Sequence, residues 1–315
     1  MTNGQMWEYR EFREVITAML YHVGLFPLKK HSKFYRLRPV LHLIFNLGFG
    51  YGMYGFIKAN IKNFLLISKS ILCMYIYRED MMNLMKILDE HFENLLKNVQ
   101  LTNLLNGITT FRRLLWAVAI GGYITACFNS CVPIIFMIID KINHVKREVY
   151  PLPNHSKLPW GLAGTGIIYK LDYLIQTLAS LSIVTISCGV EPVFSLFVFQ
   201  MVGRLRAMTY RIVHIDESSD RDSILRDCMI EYTLLLKCRD IVQKVFGPII
   251  LQMFISNAVV MSALMFQASQ MDLRSWRSTV LIPYTITKFA QTYLCAFAGA
   301  RLTFEVKKKI LTKIL

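Results

Sequence analysis

The apolar residues of this chain gather into long runs. Six segments stand out, at 39–57, 61–77, 114–138, 171–199, 248–269 and 279–299. Each reaches or approaches the roughly 20 residues that a helix needs to cross ~30 Å of hydrocarbon. The pattern predicts an all-α polytopic membrane bundle of about six spans, forming one domain over residues 1–315. The first two runs are short, and only Lys58 to Asn60 separate them. Snorkelling of Lys58 and Lys62 can absorb that shortfall.

Between the runs the pattern changes. In 78–113, Leu84, Leu88, Phe92, Leu95 and Leu96 fall at helix spacing. In 221–247, Leu225, Met229, Tyr232, Leu236 and Val242 predict a packed stripe, with Asp227, Glu231, Lys237 and Arg239 on other faces. Gly247-Pro248 predicts a kink or short interruption before the fifth span. Pro151, Pro153 and Pro159 forbid a regular helix in 139–170, where Trp160 suits a membrane interface.

Composition agrees with lipid as solvent: the chain is 54% hydrophobic, with mean hydropathy +0.39. Its net charge of +15 does not point to nucleic acid, because the cations sit at the ends of apolar runs rather than in a patch with stacking aromatics. Placing the N-terminus in the cytosol puts 25 Lys and Arg on the cytosolic side against 8 outside, so that orientation is expected. The sequon Asn154-His155-Ser156 then lies outside, as a candidate glycosylation site. Glu8, Arg10, Glu11, Arg13 and Glu14 exclude a secretory signal from the first 25 residues.

Soluble-enzyme signatures are absent: there is no P-loop, G-x-S-x-G, H-E-x-x-H or dinucleotide-binding glycine run. The seven histidines are scattered and read as surface or interface residues. Cys127 and Cys131 share a helix face, which small packing residues explain better than a metal site. No metal, cofactor or enzymatic activity is expected.

Several motifs resemble the insect odorant receptor family in their order along the chain. Leu20-Tyr21-His22-Val23-Gly24-Leu25-Phe26-Pro27 is similar to the family's entry motif, with Phe26 in place of Trp. Tyr150-Pro151-Leu152-Pro153 and Leu158-Pro159-Trp160 resemble its proline-rich outer loop, and Tyr173-Leu174-Ile175-Gln176 its Tyr–x–x–Gln. Gly189-Val190-Glu191-Pro192-Val193-Phe194, then Gly203-Arg204-Leu205-Arg206, resembles an acidic residue followed by Gly–Gln–Leu, with Arg204 in place of Gln. Cys228-Met229-Ile230-Glu231-Tyr232 resembles a cytosolic segment that usually has His at Tyr232. Gln291, Leu294-Cys295 and Gly299 resemble the end of the sixth helix.

The resemblance implies the ligand-binding (tuning) subunit of an odorant-gated nonselective cation channel. Its partners would be a small volatile odorant, membrane lipid and a shared co-receptor subunit in a hetero-oligomer, a tetramer. Its location would be the plasma membrane of a sensory neuron dendrite. The ligand cavity would lie in the outer half of the bundle, with apolar walls and a few polar handles. Mapped by depth, the ligand-binding candidates are Phe128, Ser130, Ile134, Tyr173, Gln176, Thr177, Tyr284 and Thr287. Glu191, an ionisable residue within an apolar run, is expected to pair with Arg204 or Arg206 at the membrane edge or to take part in gating, with Pro192 kinking the helix.

In the family a seventh helix lines the pore. Arg301 to Leu315, 15 residues with five basic side chains, cannot supply it, so a chain of this length is expected to add no current. The alternatives are a gustatory-type receptor of the same superfamily and a G-protein-coupled receptor. The latter lacks its helix-three triplet and its Asn–Pro–x–x–Tyr, and the charge bias opposes it. A secondary transporter would need an internal repeat, and none is visible.

Overall fold

A computed structural model of the chain describes residues 2–28, 32–52, 71–97, 108–144, 152, 166–213, 221–270 and 276–314. Every long element among them is a helix: α1 Thr2–Val23, α2 Lys33–Gly52, α3 Arg78–Lys97, α4 Ile108–Ile142, α5 Ile167–Val213, α6 Arg221–Gln270 and α7 Trp276–Ile314. A helical piece at 71–76 leads through Tyr77 into α3. Over Phe111–Ile142, Ile167–Val213 and Arg221–Gln270 the helices are long and apolar enough to cross a membrane. The expected spans at 39–57 and 61–77 fall partly outside the described residues. That at 279–299 includes positions whose side chains are not described. Asn154 and most of the proline-rich loop also lie outside.

α5 is the axis, 47 residues long, and α1, α2, α3, α4, α6 and α7 all pack on it. Register follows from pairs of residues in contact. α4 runs antiparallel to α5, with Tyr173 on Ser130, Tyr123 on Thr185 and Phe111 on Phe199. α1 is also antiparallel, with Tyr9 on Gln200 and Leu20 against Gly189. α7 runs parallel to α5, Gln291 meeting Glu191 and Glu305 meeting Arg206.

The two halves of α5 live in different surroundings. Ile167, Ile168, Leu171, Leu174 and Leu178 are exposed, an apolar surface suited to hydrocarbon. From Cys188 to Leu205 nearly every residue is enclosed by other helices. Ion pairs gather around this second half: Arg13–Asp89, Arg112–Glu11, Arg206–Glu305, Arg211–Glu231 and Lys244–Asp80. It is built like a water-soluble helical bundle, with an apolar core and a charged rim.

α1 was not foreseen as an element, yet it is part of the core. Tyr9, Phe12, Ile16, Leu20 and Val23 are each 1% exposed. Their spacing of three, four, four and three residues is the helix signal that could have revealed it. Phe12 meets Phe111 edge-on at 5.7 Å, and Phe111 meets Phe199 at 5.1 Å, joining α1, α4 and α5. Gly24 ends α1 with φ +82°, and Leu25 N–H donates to the Leu20 carbonyl at 2.9 Å, the left-handed cap that glycine permits.

At Gly247-Pro248 the short interruption, one of the two outcomes expected there, does not occur: α6 runs through the pair as one helix. Pro248 forfeits one backbone hydrogen bond, and the packing of Val245, Phe246 and Ile249 on both sides holds the helix across it. The predicted stripe is met only in part. Val242 is buried and Leu236 half-buried, but Leu225, Met229 and Tyr232 are exposed, and the buried row before Val242 is Cys228, Leu235 and Cys238. Apolar residues surround the helix here, so periodicity does not select a face. Both α3 and α5 pack on α6. In α3, Leu84 and Leu88 are fully buried, on the face that their spacing predicts.

Candidate functional site

The seam between α4, α5 and α7 collects most of the candidate residues, at two depths. At the upper depth, the Tyr173 hydroxyl donates to the Ser130 carbonyl at 2.5 Å. Ser130 is buried, and so is Gln176, whose amide donates to Asp172 at 3.0 Å. Thr177 lies one turn below Tyr173, its Oγ1 shielded from solvent. At the lower depth, Thr287 faces Gly121, whose missing Cβ would stand 3.2 Å from Thr287 Oγ1. The Lys288 ammonium lies 5.9 Å from the Tyr284 ring centre.

These two groups are not brought together. The register places Thr287 level with Gly121 on α4, and so level with about residue 186 of α5. Tyr173 and Tyr284 are therefore separated by roughly 15 Å along the bundle, three helical turns. Phe128 is 43% exposed and lies about 200° around α4 from the buried Ser130, on the opposite face. Ile134, 45% exposed, lies at the edge of the packed face. Phe128 thus stands apart from the seam, and Ile134, about 40° around α4 from Ser130, borders it. Depth along a helix can be read from sequence, but the facing direction depends on which neighbours arrive.

Just below Thr287 the seam turns polar. Gln291 on α7 donates its amide Nε2 to the Glu191 carboxylate on α5, and the Lys288 ammonium donates to Gln291 Oε1 at 3.1 Å. Glu191 and Gln291 border a cavity of about 10 Å³, lined also by Ser187, Cys188, Pro192, Ser195 and Cys295, with Phe111 and Leu115 from α4. That is room for one water among several polar partners. Pro192 has no N–H for the carbonyl of Cys188, so a backbone acceptor opens at the same level. α5 nonetheless continues as one helix through Pro192.

Glu191 therefore does not pair with Arg204 or Arg206, contrary to expectation. One helical residue advances by 1.5 Å, so Arg204 lies about 20 Å beyond Glu191 along α5. Arg204 is fully buried, and its guanidinium donates to the α3 carbonyls of Ile87 at 2.5 Å and Leu88 at 3.4 Å. Arg206 pairs with Glu305 at 2.6 Å. Nearby, Gln200, also fully buried, donates to the Tyr9 hydroxyl at 2.6 Å and to Asp89 at 2.8 Å, and Arg13 closes on Asp89 at 2.6 Å. The sequence signal for this network was a lone amide, Gln200, within the apolar run Phe197 to Val202.

An apolar-walled, polar-handled seam at one end and an ion-paired bundle at the other, with helices long and apolar enough to cross a membrane, define a helical membrane protein. The chain belongs to the family described as 7tm Odorant receptor, whose model matches residues 61–308. Its fold is that of the insect olfactory receptor OR5 from Machilis hrabei, solved in complex with eugenol. The TM-score is 0.72 at 12% identity over 92% of this chain and 80% of that one. A second structure of the same receptor matches with TM-score 0.64 at 14% identity, over 94% and 80% of the two chains. No curated protein matches the chain.

Proposed function

We propose that this protein is the tuning subunit of an odorant-gated cation channel, binding a small volatile odorant and assembling with a shared co-receptor subunit at the plasma membrane. Family membership supports the receptor role, and the likeness in fold to a receptor solved with eugenol supports a small organic ligand. The observation that carries the site is the α4–α5–α7 seam. There Tyr173, Gln176, Thr177 and Ser130 offer polar handles at one depth, and Tyr284 and Thr287 at another.

Odorant contact at the Tyr284 and Thr287 depth bears on the Glu191–Gln291–Lys288 cluster just below, which ties α5 to α7, while Tyr173 lies about 27 Å further along α5. A ligand that prefers one spacing of these two helices shifts their equilibrium by its differential affinity. The charged half of α5, with α1 and α3 around it, lies on the cytosolic side in this reading. The test is displacement of a fluorescent probe by an odorant panel from the purified protein in nanodiscs, with co-purification of a co-receptor subunit. Displacement whose rank order changes with Tyr173→Ala or Thr287→Val supports the reading. Unchanged tuning in both variants removes the seam as the ligand site.

A further inference from the structure

The corner where α1 hands over to α2 has an unusual charge balance. From residue 15 to residue 78 the chain contains nine Lys and Arg and no Asp or Glu, and the acids that follow, Glu79 and Asp80, open α3, with Asp80 paired to Lys244. Two arginines are held in place there. The Arg38 guanidinium lies 5.5 Å over the Tyr21 ring, 5.5 Å over Phe34 and 5.9 Å over Tyr35, and donates to the Tyr21 carbonyl at 3.1 Å. Arg78 lies 5.7 Å over Tyr35 and donates to the Phe26 carbonyl at 3.4 Å. Tyr35 itself is buried and donates to the same Phe26 carbonyl at 2.8 Å.

Lys33 and Arg36 are exposed on the first turn of α2, which Ser32 caps by accepting from the Phe34 N–H at 3.2 Å and which contains no acidic residue. The helix dipole adds positive potential at this end. Directly along the same face run Phe34, Leu37, Val40, Ile44 and Leu47, all more than 40% exposed. Cations at the start of a helix, then aromatic and aliphatic residues facing outward, match the boundary between headgroups and acyl chains.

We propose that this corner binds the headgroup phosphate of an anionic phospholipid, with Lys33 and Arg36 as the contacting cations and Phe34 and Leu37 against the first methylenes of the acyl chains. A free phosphate would use the cations but leave the apolar row in water. A lipid satisfies both at once. The proposal rests on the reading that α2 enters a bilayer here.

The test is native mass spectrometry of the full chain released from nanodiscs of phosphatidylcholine doped with phosphatidylserine. The wild-type protein retains phosphatidylserine in preference to phosphatidylcholine. The double variant Lys33→Gln/Arg36→Gln retains it about thirty-fold less, the loss expected from two surface cations. The charge-conserving pair Lys33→Arg/Arg36→Lys keeps the preference, and excess inorganic phosphate does not displace the lipid. Equal retention of both lipids by the wild-type protein overturns the proposal, as does equal retention of phosphatidylserine by wild type and the Gln variant. Displacement by inorganic phosphate would show a free-anion site instead. Phosphatidylserine is present in both leaflets of the disc, so a reversed orientation would leave retention intact, and failure here would leave odorant responses untouched.

Discussion

Gln291 donates its amide to the carboxylate of Glu191 across one hundred residues of chain, joining the middle of α5 to the middle of α7. Because α5 and α7 run parallel, this one bond fixes their register, and Lys288 completes it from one turn above. Removing either partner leaves the other facing a cavity with room for a single water.

The first prediction is that Glu191 and Gln291 act as a unit. Glu191→Ala and Gln291→Ala should each destabilise the protein by roughly 1–3 kcal/mol, the cost of leaving a buried polar partner unmet. The double variant should cost about 1 kcal/mol or more less than the sum. Thermal unfolding of the four proteins in one detergent measures this, and strictly additive losses would break the proposed coupling.

A second prediction separates buried from exposed charge. Asp89 accepts from both Gln200 and Arg13, so Asp89→Ala strands a buried amide and a guanidinium and should cost roughly 2–4 kcal/mol. Arg239 pairs with Asp240 in solvent, and Arg239→Ala should stay within about 0.5 kcal/mol of the parent. The same melting experiment ranks the two, and a reversed order would contradict the network around Gln200.

Gly24 carries the third. Its positive φ disfavours any side chain, and a Cβ there would stand 2.8 Å from Arg38 Cβ and from Pro39 Cδ. Gly24→Ala should therefore cost about 2 kcal/mol or more, from left-handed strain together with displacement of α2. Hydrogen exchange should show the added opening first at the α1–α2 corner, and protection unchanged from the parent would refute the strain argument.

Tuning gives the fourth. Tyr173→Ala should change the order in which odorants bind the receptor, because it removes the hydroxyl fixed to the Ser130 carbonyl. Phe128→Ala, on the opposite face of α4, should alter expression at most. Dose–response curves over one odorant panel compare them. A tuning change in Phe128→Ala alone would place the ligand outside the seam.

Orientation is the fifth. With the N-terminus in the cytosol, a tag inserted in 145–165 should be labelled on intact cells, and one in 214–220 only after permeabilisation. Asn154→Gln should then abolish glycosidase sensitivity. Labelling of 214–220 on intact cells would invert the assignment.

The amino-acid sequence by itself determined the solvent and the element type. Long apolar runs admit only helices in hydrocarbon, because each must satisfy its own backbone, and ordered motifs such as Gly189 to Phe194 pointed to the family later matched over 61–308. The Leu84 and Leu88 face of α3 was likewise readable, because polar residues flank it and a single stripe remains. Only the tertiary structure decided which faces meet. α6 is apolar on several sides near Leu225 and Cys228, so packing rather than periodicity chose the buried row. Glu191 could have met any cation within reach of its level, and the parallel register of α7 gave it Gln291 instead of Arg204 or Arg206. Phe128 and Ser130 share a depth but not a direction, and Tyr173 and Tyr284 share a seam but not a depth. Such relations depend on contacts between residues far apart in the chain, and no local spacing encodes them.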